Sequence, residues 1–170
     1  MRPRRRPAQV LGLCLLLIGV SEAAAGVVAS AAGVRIDVVT GPSPPAIALD
    51  RRNLRDIFLK RIVIDHAGKA LVPLNLPPED PLRAAFSREL LDKPPDALQR
   101  FWNERYFQGV SPPYVVRSQE AMLRYIAETP GALGYVASCR ADERVRVVAE
   151  LPVPADLAAR IAGLCRETGH

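Results

Sequence analysis

SQEAMLRYIAETPGALGYV, residues 118–136, holds the unit from which the fold is read. Ser118 carries an N-cap side chain, and Met122, Tyr125 and Ile126 recur three and four apart, on one face of a helix. Thr129-Pro130-Gly131 closes that helix, because proline offers no N–H and glycine reaches conformations closed to other residues. The chain then returns as a strand over Ala132–Ala137. A helix feeding directly into a strand is a connection of layered α/β domains.

Upstream the same alternation holds. Val34–Thr40 alternates β-branched and polar residues and predicts a strand, and Gly41-Pro42-Ser43-Pro44-Pro45 breaks it. Asp50 or Asn53 caps a helix whose Leu54, Ile57 and Phe58 share a face, with Lys60 and Arg61 at its C-terminal end, where cations favour the dipole. Arg61–Ile64 and Leu71–Asn75 read as two short strands joined by a turn over Asp65–Lys69. Asp80 caps a helix with Pro81 in its first position, and Leu82, Ala85, Phe86 and Leu90 form its apolar face. A third helix starts near Asp96, with Leu98, Phe101, Trp102 and Tyr106 as its buried stripe, an aromatic stripe that reads as core packing. Tyr114–Arg117 is a short strand. Downstream, Val145–Leu151 is another strand, and Ala155–Cys165 is an amphipathic helix presenting Leu157, Ile161 and Leu164. The expected core contains Ile57, Phe58, Phe86, Leu90, Phe101, Trp102, Met122, Ile126 and Val136.

The N-terminal residues carry an address. Arg2, Arg4, Arg5 and Arg6 precede an uncharged run of 13 residues, Ala8–Val20, rich in leucine. Ala23 and Ala25 then stand three and one before a cut ahead of Gly26, which is the order of a secretory signal peptide. An uncleaved membrane anchor is the alternative, but the run falls short of the ~20 residues that span a bilayer. A second cut site lies in Ala29–Ala32, so the mature start falls between Gly26 and Gly33. The residues after the arginine pair do not suit a twin-arginine signal, and Leu13 before Cys14 does not suit a lipoprotein. Residues 1–25 are therefore read as a signal peptide, and residues 26–170 as one soluble domain in the periplasm.

Export changes the charge. Of 23 Lys+Arg the leader carries four, and of 18 Asp+Glu it carries Glu22, leaving 19 against 17. No basic patch interleaved with aromatics survives to suggest nucleic acid. About 145 residues suffice for one core, not two. Of three cysteines, Cys14 leaves with the leader. An oxidising compartment permits a Cys139–Cys165 disulfide, closing a loop worth about 3 kcal/mol. Two separate buried thiols are the alternative. His66 and His170 are the only histidines, and neither sits in a metal or nucleophile–base pattern. No catalytic residue, metal site or cofactor is assigned, and an enzyme is not expected.

Several of these segments resemble the C-terminal portion of phosphate-type periplasmic binding proteins, the receptors of phosphate ABC uptake. LDRRNLRDIFLKR (49–61) resembles the family helix ending in an I-F-x-G-K sequence. VPLNLP followed by PLRAAF (81–86) stands where the family places Ser-Gly-Thr-Arg-x-x-Phe. TPGALGYV (129–136) is similar to T-P-G-A-I-G-Y-V and is the most specific of the three. The resemblance covers roughly residues 34–137, and it implies one lobe of a periplasmic binding protein, close to the family's short single-domain members. In the full-length family, Ser, Gly and Thr at a helix start close around phosphate with hydroxyls and free N–H groups. Those positions here are Asp80, Pro81 and Leu82, followed by Arg83. Asp80 brings a negative charge, Pro81 has no N–H, and Leu82 has no hydroxyl. Only Arg83 remains as a candidate ligand-binding residue for a small anion.

The resemblance implies a periplasmic solute-binding-like protein with a degraded phosphate cradle, working with an ABC permease, a sensor or another periplasmic protein. The alternative is a protein-interaction module built on one lobe, using exposed tyrosines or the Pro-rich loops.

Overall fold

The computed structural model describes residues 33–166. The signal peptide, the cut before Gly26 and His170 lie outside the described residues. Five strands form one mixed sheet: β1 (Ile36–Thr40), β2 (Val72–Asn75), β3 (Tyr114–Val115), β4 (Ala132–Ala137) and β5 (Arg146–Leu151), in the order β3-β2-β4-β1-β5. β2 is parallel to both β3 and β4, while β1 runs antiparallel to β4 and β5. Among the described residues there are five helices: α1 (Arg51–Phe58), α2 (Pro81–Leu91), α3 (Pro95–Phe107), α4 (Gln119–Glu128) and α5 (Ala155–Arg166).

The helix starts follow the sequence signals. Asp50 accepts the Asn53 N–H at 2.8 Å, Asp80 that of Leu82 at 2.8 Å, and Ser118 that of Ala121 at 3.1 Å. Pro81 occupies the first position of α2, where its missing N–H costs nothing.

Alternation along β4 places helices on both faces of the sheet. Tyr135 points to one face, where its ring stacks on Phe86 of α2 at 3.8 Å between centroids, and Phe86 meets Phe58 of α1 edge-on at 4.7 Å. Gly134 points to the other, and a Cβ there would come within 2.5 Å of Met122 Sδ and 2.8 Å of Ile126 Cδ1 on α4. Gly131, at φ +79°, lies so close to Ala70 that a Cβ would meet that carbonyl oxygen at 2.2 Å. Both glycines of TPGALGYV thus serve packing: one lets β4 start beside β2, the other seats α4.

The disulfide joins Cys139, just past β4, to Cys165 on α5, with Cα atoms 5.8 Å apart. Arg140 reinforces this corner by donating to the Leu164 carbonyl at 2.6 Å, near the C-terminal end of α5 where free carbonyls need donors.

Three expectations are corrected. Residues 61–64 form no strand; only Ile64 bridges to Ala70, and Val63 and Ile64 are exposed. The Asp65 carboxylate instead gathers the N–H groups of Ala46, Ala67 and Lys69 at 2.8–2.9 Å, folding the segment into a tight turn. The α3 stripe is shorter than its spacing suggests: Leu98 and Trp102 are buried, Phe101 is half-buried and Tyr106 is exposed. The strand near Tyr114 keeps only two residues. The rest of the expected core is buried, joined by Leu123 on α4.

Candidate functional site

β2, β3, β4 and β5 all run in one direction, so the chain leaves them at the same edge of the sheet, and α2, α4 and α5 start there. Open α/β sheets take ligands at this edge. The first helix start to test is that of α2, where Arg83 sits.

Beneath it lies a buried polar knot. The Asn75 Oδ1 accepts the Tyr135 hydroxyl in a short hydrogen bond and the Leu76 N–H at 3.1 Å, and the same N–H lies 3.3 Å from the Tyr135 oxygen. Burial pushes the Tyr135 phenol well above the usual tyrosine range, so the hydroxyl keeps its proton and donates. This pair, far apart in sequence, had no signal in spacing or pattern.

Arg83 is committed to the same loop. Its Nη1 donates to the Leu76 carbonyl at 2.7 Å, tying the exit of β2 to the first turn of α2. It also lines a cavity of about 230 Å³ between α2 and α3, with Asp96, Gln99, Ser87 and Trp102 among its neighbours. An anion entering there would meet the Asp96 carboxylate as well as Arg83.

The donors of the α2 start are taken. Pro81 has none. The N–H groups of Leu82 and Arg83 serve the Asp80 carboxylate, and that of Ala84 reaches the Asp80 carbonyl at 3.3 Å. Burial raises the Asp80 pKa, outweighing the two N–H groups and the Arg160 charge that lower it; nearby Glu79 adds to the rise. A helix start favours negative charge, and here the chain's own carboxylate supplies it.

The neighbouring starts are similarly occupied. Ser118 caps α4, Gln119 accepts the Ala137 N–H at 2.7 Å, and Asp156 in the first turn of α5 receives Arg88 through both oxygens at 2.9–3.0 Å. Arg144 links Glu120 and Asp142, and with Arg124 it lowers the Glu120 pKa to about 2. Sequence reading had not singled out this cluster. His66 is exposed in the turn after α1, its N–H bonded to the Ala46 carbonyl at 3.1 Å. Among the described residues no group of three or more His, Cys, Asp and Glu side chains could hold a metal ion, and no helix is long and apolar enough to cross a membrane.

A five-stranded mixed sheet with helices on both faces and three helix starts at one edge makes a layered α/β domain. Two solved structures share this fold over part of their length. One, assigned as a phosphate ABC transporter substrate-binding protein with bound phosphate, from Clostridium perfringens, matches at TM-score 0.55 and 15% identity over 68% of this chain and 44% of that one. The other, an ABC-type phosphate transport receptor from Vibrio cholerae, matches at TM-score 0.54 and 12% identity over 78% and 63%. The chain therefore spans less than two thirds of either neighbour, and at these identities the likeness is one of fold. No protein-family profile and no curated protein matches the chain by sequence.

Proposed function

We propose that this chain is an exported periplasmic protein built on part of the phosphate-receptor fold, with residues 1–25 its cleaved signal and residues 26–170 its mature domain. It works beside an ABC permease, a sensor or another envelope protein, and it takes no phosphate at the start of α2. The observation that carries this reading is the Asp80 carboxylate on the Leu82 N–H at 2.8 Å, with Pro81 beside it and Arg83 turned onto the Leu76 carbonyl. A phosphate placed there would displace a carboxylate from its own helix and then face it. Arg83 holds the β2–α2 loop closed instead of serving a ligand.

The test is residue-resolved. In a ¹⁵N-labelled mature chain, the amides of Leu82, Arg83 and Ala84 should hold their positions as phosphate or sulfate is raised to about ten millimolar, far above the dissociation constant of a working receptor. A saturating shift confined to those amides overturns the reading.

A second reading, an interaction module on the same fold, is favoured by one observation. Tyr106 and Phe107 at the end of α3, and Tyr114 and Val115 in β3, stand exposed, and contiguous exposed apolar surface marks contact sites.

A further inference from the structure

The sequence of α5, ADLAARIAGLCR (155–166), spaces its large apolar residues so that Leu157, Ile161 and Leu164 share a face. Of these only Leu157 and Ile161 are buried, on ground supplied by α2 and β4. The neighbouring positions are Ala158, Ala159 and Ala162, side chains too short to fill the space before them. With Val34, Leu151 and Val153 they line an open groove of about 670 Å³. A contact left unfilled forfeits dispersion attraction along its whole length.

Polar tethers add little. Arg88 reaches Asp156 at the start of the helix at 2.9–3.0 Å, but that carboxylate is 65% exposed, and an ion pair in water is weak. At the other end Arg140 donates to the Leu164 carbonyl at 2.6 Å. Both guanidinium groups keep a buried Nε–H with no acceptor among the described residues. A buried donor left unpaired works against the docked state.

The Cys139–Cys165 bond is the strongest tether, and it stands within reach of a reductant. Cys139 is exposed just past β4, and Cys165 is half-buried near the end of α5. A thiolate breaks a disulfide by attacking one of its sulfurs, so access governs exchange. The sheet does not need α5: among the described residues the five strands end at Leu151, and α1, α2 and α4 pack on them independently.

We infer that the Cys139–Cys165 bond is a reducible latch that decides whether α5 is docked. A thiolate of a dithiol reductant attacks the Cys139 Sγ, forming a mixed disulfide and expelling Cys165 as a thiolate that takes up a proton. The reductant's second thiol then closes on its own first sulfur and frees Cys139, which is protonated in turn. Two electrons pass to the bond: one disulfide becomes two thiols, and the dithiol becomes a disulfide. α5 then leaves, and the ground beneath Leu157 and Ile161 opens to solvent, so the protein presents a different surface in each redox state.

The probe is dithiothreitol, with hydrogen exchange of the mature chain read by mass spectrometry. Without denaturant it should reduce the bond, and the amides of residues 155–166 should then exchange at least about tenfold faster, while those of β1, β4 and α4 keep their protection. Cys165→Ser should give the same pattern with no reductant, and trypsin should then cut after Arg160, within α5, sooner than in the oxidised chain. Protection of α5 retained after reduction and in Cys165→Ser overturns the inference, because packing alone then holds the helix. Protection lost through the sheet as well overturns it, because the bond is then a staple of the whole domain. So does a bond that the native protein withholds from dithiothreitol.

Discussion

Tyr135 shows how one residue serves both the core and the site. Its ring stacks on Phe86 and its hydroxyl closes the knot with Asn75 beneath the β2–α2 loop. Tyr135→Phe leaves the buried Asn75 oxygen short of a donor, so urea denaturation should show a loss of about 1–3 kcal/mol. Phe86→Ala opens a cavity under the same ring and should cost about 3–5 kcal/mol. The carboxylates differ in the sign of their pH dependence. Glu120 is held at about 2 by Arg144 and Arg124, below its ordinary 4.5. Its contribution is present above 4.5 and lost as pH falls toward 2, and Glu120→Gln should remove that loss, which is modest because the pair is exposed. Asp80 has its pKa raised by burial, so stability falls as pH rises above its ordinary 3.8 and the loss is complete above the folded value. Asn keeps the cap, and chemical denaturation should show Asp80→Asn gaining on the wild type as pH rises from about 3 to 7.

At the scale of elements, the helix–turn–strand unit of residues 118–136 was legible because each signal is local. Ser118 caps, Met122 and Ile126 share a face, and Gly131 sits where φ is positive. Gly131→Ala would press a Cβ onto the Ala70 carbonyl, a backbone atom that cannot swing aside, and thermal denaturation should show a loss of about 3 kcal/mol or more. Residues 61–64 were misread for a tertiary reason. Their alternation suits a strand, but Asp65 draws three backbone N–H groups into a turn, and β3 takes the free side of β2. Tyr106 was misread because its helical phase is right and its neighbour is missing: α3 rests on α2 through Leu98 and Trp102, and the helix runs on past that contact. The Cys139–Cys165 bridge was legible from the expected export and the cysteine count. Its removal by Cys165→Ala under non-reducing conditions should lower stability by about 3 kcal/mol.

For the whole molecule, the start of α2 was partly legible. The Asp80 cap and Pro81 in the first position could be read from the chain; the partner of Arg83 could not, since it is a backbone carbonyl that only the folded loop presents. The motif that carries the likeness most clearly, TPGALGYV, proves to be a packing motif, with Gly131 against Ala70, Gly134 against α4 and Tyr135 in the core. Such a motif persists with the fold whether or not a ligand does. This is why the likeness to phosphate receptors and the closed α2 start belong to one protein without conflict. The most direct measurement of that claim is calorimetric titration of the mature chain with phosphate. The account predicts no binding heat from the wild type at micromolar to millimolar phosphate. Micromolar binding that Arg83→Ala abolishes would contradict it.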